Sequence, residues 1–278
     1  MLSIVKMKKI SVVTGVLASL LLSQVAQAHP RWVLPSHFSV SKEGGDWLTV
    51  DVTASHGTFV FDKPAGSQNA LVIMPDGSSE RPNFTITGKR RSMFDFFFVE
   101  PGTHKITVNN PVVYYTEYKA GRRDTLKWVK ANKADRVQLL PEKARDISTQ
   151  ASFTRAESYI TVGKPSSEAL KIEGKLLELL PITHPADIVQ GESVQMQFYF
   201  EGEIQANVIV EITREGTLYR NHQEQIDLIS DKDGMISFIP EHAGRYILKA
   251  KYSAPLKGNL LAEKSKSNVH LTFEAILQ

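Results

Sequence analysis

The fold is indicated by the stretch Trp47–Ala54, WLTVDVTA, in which apolar and polar side chains alternate. A period of two is typical of a β-strand with one side buried and the other facing solvent. The same alternation recurs in Val194–Phe200, VQMQFYF, and strand-like runs follow at Val208–Ile212 and Tyr246–Ala250. Turn signals such as Pro75-Asp76-Gly77 separate these runs. Short strands divided by such turns predict an all-β fold built from β-sandwiches.

Three segments of the first half resemble three segments of the second half, in the same order. The pairs are Gly45–Val52 with Gly191–Phe198, Ala70–Ile73 with Asn207–Val210, and Pro101–Val108 with Ala243–Ala250. This repeat predicts two related sandwich domains in tandem, of the immunoglobulin-like or transthyretin-like kind. The alternative is chance similarity between two unrelated sandwiches, because period-two patterns occur in all of them.

The stretch between the two copies has a different composition. Residues 122–140 are polar and permit a helix, so we expect a partly helical insertion at about 120–150. The first domain then covers residues 29–165, with Lys164–Ser167 as the best linker candidate. The second domain, immunoglobulin-like, covers residues 171–278.

The N-terminus has the pattern of a secretory signal peptide. Lys6, Lys8 and Lys9 precede the apolar run Ile10–Leu22, and Ala26-Gln27-Ala28 forms an A-x-A cleavage sequence. We therefore expect residues 1–28 to be removed, His29 to be the first mature residue, and the protein to be periplasmic. A membrane-spanning helix needs about 20 apolar residues, and the pattern predicts no stable membrane insertion.

Charge and cysteine content exclude several classes of function. The chain has 33 basic and 30 acidic residues, and the predicted signal peptide holds three lysines and no acid, which leaves a mature net charge of zero. This balance argues against nucleic acid or an acidic membrane as a partner. Because the chain has no cysteine, disulfides, thiolate metal sites and cysteine nucleophiles are excluded.

His29 would be a chelating group if it were the first mature residue. A free N-terminal amine has a pKa near 8, so it deprotonates readily and can bind a metal together with the Nδ1 of its own ring. One further histidine would complete a site of three nitrogens, a histidine brace, which suits copper; nickel is also plausible for imidazole ligands. The alternative is an N-terminus with no function.

The second ligand is expected to be His56 or His37. His56 shares the parity of Leu48 and Val52 and lies just beyond the strand, on a rigid element; a buried, hydrogen-bonded histidine is the competing interpretation. His37 is close to His29 in sequence and could fold back to it. His104 aligns with Tyr246 in the repeat and is expected to be structural. Of the remaining four, His184 is expected at the entrance to the second domain, and the others, His222, His242 and His270, at the surface.

These residues resemble a known family. The opening Ala28–Ser36, the segment Gly45–Val50 and the motifs Thr183-His184-Pro185, Thr217–Arg220 and Asp231–Phe238 are similar to bacterial periplasmic proteins of domain-of-unknown-function family 4198. Members are commonly labelled as periplasmic components of cobalt or nickel uptake. The resemblance implies a metal site at His29 and His56, with His37 as a further ligand candidate, and an inner-membrane metal transporter as a partner.

Three classes of function remain open at this stage. The first is a periplasmic binding protein for nickel, cobalt or copper that serves uptake or delivery and is not an enzyme. The second is an oxidative enzyme with a copper histidine brace, which a flat aromatic face around the metal would favour; Trp32, Trp47 and Trp128 are its candidates. The third is an adhesion or scaffold module without a metal. The sequence does not fix the oligomeric state.

Overall fold

The computed structural model describes residues 30–278, and these form an all-β protein. The predicted signal peptide and His29 lie outside the described residues. Strands of the first half are β1 (Arg31–Pro35), β2 (Ser39–Val40), β3 (Asp46–Ala54), β4 (Lys63–Pro64), β5 (Ala70–Ile73), β6 (Ser79–Glu80), β7 (Ile86–Thr87), β8 (Ser92–Phe98), β9 (Gly102–Asn109), β10 (Val113–Ala120), β11 (Thr125–Val129) and β12 (Arg145–Val162). Strands of the second half are β13 (Leu177–Pro181), β14 (Val194–Phe200), β15 (Glu203–Ile204), β16 (Ile209–Arg214), β17 (Ile226–Ile229), β18 (Met235–Phe238), β19 (Gly244–Pro255) and β20 (Lys264–Ala275).

Helical structure in residues 30–278 is confined to four single 3₁₀ turns. They cover Arg136–Gln138, Glu168–Leu170, Pro185–Asp187 and Thr217–Tyr219. No helix within this range is long and apolar enough to cross a membrane.

Each half of the chain forms a sandwich of the immunoglobulin type. In the first, the sheet β1-β3-β8-β7, with β4 on β3, packs against β12-β9-β5-β6. Alternate residues along these strands point inward and fill the space between the sheets, among them Val50, Phe94 and Ile106. In the second, β13-β14-β15, with β18 on β14, packs against β17-β16-β19-β20 around Phe198 and Leu248.

The two sandwiches share one sheet of eleven strands, because β12 pairs with β20 in parallel from Gln150↔Lys264 to Ser158↔Thr272. Alternate side chains of β12 therefore enter different cores: Ile160 belongs to the first core and its neighbour Tyr159 to the second. This explains why the C-terminal half of β12 is buried on both faces.

The internal repeat corresponds to equivalent strands. Gly102 and Gly244 both begin a strand with φ +132°, and Gly45 and Gly191 precede equivalent strands with φ +83° and +81°. His104 and Tyr246 fall on the equivalent strands β9 and β19, as predicted. One part of the alignment was shifted: Ala70 pairs with Val108 and Val210 pairs with Ala250, so the partner of Ala70 in the repeat is Val210 and not Asn207.

The predicted helical insertion is wrong. Residues 113–129 form the hairpin β10–β11, which follows β9 in the chain and pairs through β10 with the first half of β12. The β-branched residues Thr125 and Val129 favour this strand, and Gly121 supplies the left-handed turn with φ +83°. We call residues 113–150 the arm.

Candidate functional site

The candidate site lies where β1 begins and β3 ends. The two strands are antiparallel, with Arg31 opposite Ala54. Pairing continues one residue further, because the amide of Ser55 donates to the carbonyl oxygen of Pro30 at 2.9 Å. His56 is the next residue of the chain and is exposed. The carbonyl of the residue that follows His29 is therefore bonded to the residue that precedes His56.

The start of β1 is also held on its other edge, by β20. Nδ1 of His270 lies 2.5 Å from the carbonyl oxygen of Arg31 and 3.2 Å from its amide nitrogen, and the Thr272 hydroxyl donates to the carbonyl of Val33 at 2.6 Å. His270 is buried, so its predicted surface position is wrong. Burial, the largest cause, lowers its pKa to about 4. The ring is neutral at pH 7 and acts as a fixed support for the backbone.

A short turn carries His56. The amide of Gly57 donates to the Ser55 hydroxyl at 3.1 Å, and Ser55 is buried. Two residues further on, Phe59 packs edge-on against Trp32, with ring centroids 5.5 Å apart. These contacts fix the backbone on both sides of His56 while the residue itself faces solvent.

The first residue of β1, Arg31, is cationic and pairs with Ala54, two residues before His56. Burial lowers the pKa of the Arg31 guanidinium, and its Nε and Nη1 have no hydrogen-bond partner among the described residues. The site therefore carries a positive charge at the first residue of β1.

The second sandwich contains the same local arrangement. There the amide of Glu201 donates to the carbonyl of Leu176 at 3.0 Å, as Ser55 does to Pro30. Beyond that bond the two segments stay close, since a Cβ built on Gly202 would lie 3.6 Å from the Cα of Gly174. Gly202 is the residue that corresponds to His56 in the repeat.

His37 lies at the opposite end of the ladder. The neighbouring Ser36 amide bonds to the carbonyl of Thr49, six residues before Ser55. At about 3.3 Å per residue this separates the two ends by roughly 20 Å. Imidazole ligands lie about 2 Å from their metal, so one ion does not bind both His37 and His56.

Within residues 30–278 there is no group of three or more histidine and acidic side chains that could hold a metal ion. A group of three such ligands that includes His56 would have to draw at least one from outside these residues. The side chain that the sequence offers for this is His29, which lies outside the described residues.

The three tryptophans do not form a face around His56. Trp32 is buried at 1% exposure, beneath Phe59 and Phe61. Trp47 is exposed and its ring lies at an angle to that of Phe97, but it is the second residue of β3, whereas His56 follows the end of that strand. Trp128 lies on β11 in the arm.

Two further histidines have structural surroundings. His104 is fully buried against Phe98, with ring centroids 5.2 Å apart, and neither ring nitrogen has a hydrogen bond of ordinary geometry. Burial lowers its pKa to about 4, while backbone groups of Gly102 and Ile160 act weakly in the opposite direction. His184 joins the two halves: its Nε2 lies 3.0 Å from the Thr103 hydroxyl.

A buried ionic cluster was not predicted from the sequence. Nη1 of Arg155 lies 3.4 Å from Glu157 and 3.3 Å from both Glu173 and Glu178. Burial alone would lower the pKa of Arg155, but the three carboxylates outweigh it and raise the pKa. Glu178 also accepts three backbone amides, at 2.7, 2.7 and 2.8 Å. The cluster joins β12 to β13, and no local pattern in the sequence marks it.

Comparison with solved structures finds β-rich relatives of low similarity. The D0-D1 domain of intimin is 8% identical, and the match covers 88% of this chain and 97% of the intimin chain with a TM-score of 0.23. The fibronectin(III)-like modules of Clostridium thermocellum CbhA are 8% identical, with 88% and 94% covered and a TM-score of 0.21. The FN1-FN3 domains of chicken CNTN1 are 8% identical, with 89% and 99% covered and a TM-score of 0.23.

A search of curated proteins finds no match. The scan against family models matches residues 26–254 to "Domain of unknown function (DUF4198)". This match extends over most of both sandwiches and the arm between them. The chain belongs to this family of unknown function.

Proposed function

We propose that the protein binds a transition metal ion at the end of the β1–β3 ladder, through His56 and an N-terminal His29. The observation that carries the proposal is the hydrogen bond from Ser55 to Pro30. One further step along both chains leads to His56 and His29. In the second sandwich the segments remain close beyond the equivalent bond, since Gly202 lies near Gly174, two residues before Leu176.

The chemistry of the donors sets the class of metal. With no cysteine in the chain, the donors would be the two imidazoles and, after cleavage at Ala28, the terminal amine. Three nitrogens favour copper and nickel over magnesium or calcium, and cobalt lies just below nickel in the affinity order. The proposed role is metal capture in the periplasm for uptake or delivery, with an inner-membrane transporter as the partner.

Binding without catalysis is the version that the geometry supports best. An oxidative enzyme acting on a polymer would place flat aromatic rings beside the metal. Trp32 is buried, Trp47 lies at the other end of β3 from His56, and Trp128 lies on β11 in the arm. The exposed position of His56 suits an ion that must be handed on.

Metal titration of the processed protein tests this proposal. We expect His56→Ala to weaken Cu²⁺ or Ni²⁺ binding at least tenfold, because the second imidazole ligand is lost. His222→Ala removes an equally exposed histidine in the second sandwich and should leave the affinity unchanged. His37→Ala should also have no effect.

A second variant isolates the terminal amine. One extra residue placed before His29 leaves every side chain in position but converts the amine into an amide. Mass spectrometry of the purified N-terminus must first show a start at His29. Undiminished binding by the extended chain, or equal affinity of His56→Ala and His222→Ala, would contradict the proposed site.

A further inference from the structure

The charge of the chain is unevenly distributed between the arm and the sandwiches. The arm, residues 113–150, holds nine basic and five acidic residues, a net charge of +4. Residues 29–278 as a whole are neutral, so the remainder carries −4. The neutral net charge of residues 29–278 is therefore the sum of a strongly basic arm and weakly acidic sandwiches.

The acids of the arm are mostly engaged, whereas many of its basic groups are not. Glu117 pairs with Lys264 at 2.7 Å, Asp146 with Lys119 at 2.7 Å, and Asp124 with Arg145. Five exposed basic side chains have no ion pair with another described residue: Arg122, Arg123, Lys127, Lys130 and Lys143. Two of them, Arg122 and Arg123, form the tip of the β10–β11 hairpin.

Large apolar side chains stand exposed among these charges. Leu126 and Trp128 on β11 are 49% and 45% exposed, and Val137 in the following loop is 76% exposed. The loop is tied to the β19–β20 turn, since the Lys133 amide donates to the carbonyl of Leu261 at 2.9 Å. The adjacent Leu260 is 83% exposed.

We propose that the arm docks the protein on an anionic lipid bilayer. Basic residues are attracted to anionic lipid headgroups, and tryptophan with flanking arginine and lysine is favoured at the membrane interface. The apolar residues are divided among a strand, a loop and a turn. A bilayer accepts such separate anchors, whereas a protein partner needs a continuous complementary surface of about 800 Å². The inference does not depend on the metal site.

Vesicle binding by the full protein tests this inference. We expect sedimentation with phosphatidylglycerol–phosphatidylcholine vesicles, little with phosphatidylcholine alone, and release by high salt. Each basic residue near an anionic bilayer contributes a factor of about five, so Arg122→Gln with Arg123→Gln should weaken the partition coefficient about 25-fold. The control pair Lys89→Gln with Lys164→Gln removes the same charge from exposed positions outside the arm. All variants carry the same N-terminus, so its contribution cancels.

Tryptophan fluorescence locates the contact. Trp47→Phe should keep the blue shift on anionic vesicles, and Trp128→Phe should lose most of it. Three results would each overturn the inference: no partition at low salt, an equal loss in both charge pairs, or a blue shift that follows Trp47. Retention on an acidic protein in place of vesicles would do the same and would identify the other class of partner.

Discussion

Removing the guanidinium of Arg155 should destabilise the fold more than removing any surface cation. Arg155 and Glu157 are each 2% exposed and Glu178 is 3% exposed. Backbone amides compensate Glu178, whereas Glu157 is compensated by its contact with Arg155. Breaking a buried ion pair by deleting one partner costs about 3–5 kcal/mol, because the other charge stays buried. For Arg155→Leu this corresponds to a fall in Tm of roughly 6–20 °C.

Thermal and urea unfolding followed by circular dichroism at pH 7 would measure this loss. Arg145→Leu is the matched control and should change Tm only slightly, since Arg145 and its partner Asp124 are both exposed. Adding Glu157→Gln to Arg155→Leu should restore part of the stability, because the uncompensated charge is gone.

The reasoning would be refuted by equal Tm values for Arg155→Leu and Arg145→Leu. It would also be refuted if Glu157→Gln brought no recovery in the double variant, since the coupling between neighbours would then be absent. Either result would mean that the cluster is solvated or rearranges at little cost.

Two other predictions concern buried side chains. The pKa of His104 and of His270 is about 4 in the folded protein and about 6.5 in the unfolded chain. Between these values the unfolded chain binds more protons than the folded protein. The free energy of unfolding should therefore fall by about 3 kcal/mol for each histidine as the pH is lowered from 6.5 to 4. His104→Phe keeps the ring contact with Phe98 and should remove about half of the combined loss of the two histidines, as measured by urea unfolding at each pH. An unchanged dependence of the unfolding free energy on pH would contradict this. The Tyr246 hydroxyl donates to the carbonyl of His242 at 2.5 Å, the tyrosine corner of these sandwiches, so Tyr246→Phe should cost about 1 kcal/mol. Tyr219→Phe, 89% exposed, should cost nothing, and equal melts for the two would exclude the corner bond as a stabilising contact.

Local pattern was sufficient to predict the strands and the repeat. Alternation in Trp47–Ala54 predicts β3 because each second side chain enters the core. Gly102 and Gly244 mark equivalent strand starts, since both need a backbone that other residues rarely adopt. The pattern gave a wrong prediction in the arm. Its polar residues are compatible with a helix, but they form strands because β10 pairs with β12. Tertiary pairing overrode a weak propensity there.

Contacts between distant parts of the sequence were beyond prediction. No periodicity reveals that β12 and β20 pair in parallel, or that Arg155 meets Glu178 across two strands. His270 was expected at the surface because it fits no cluster of possible ligands in the sequence, and it is buried by β1, 239 residues away. A single sequence gives the parity of a side chain within its strand, but not which strand covers it.

The same distant contacts determine how the candidate site is supported. Ser55 binds Pro30 from within the first sandwich, and this bond follows from the register of β1 and β3. His270 binds Arg31 from the last strand of the second sandwich. The first described residues of β1 are therefore held between both halves of the molecule. Since β12 and β20 also join the halves edge to edge, the second sandwich helps to position the segment that follows His29. On this structure, substitutions in β20 that displace His270 should disturb the proposed metal site, although they lie far from His56 in the sequence.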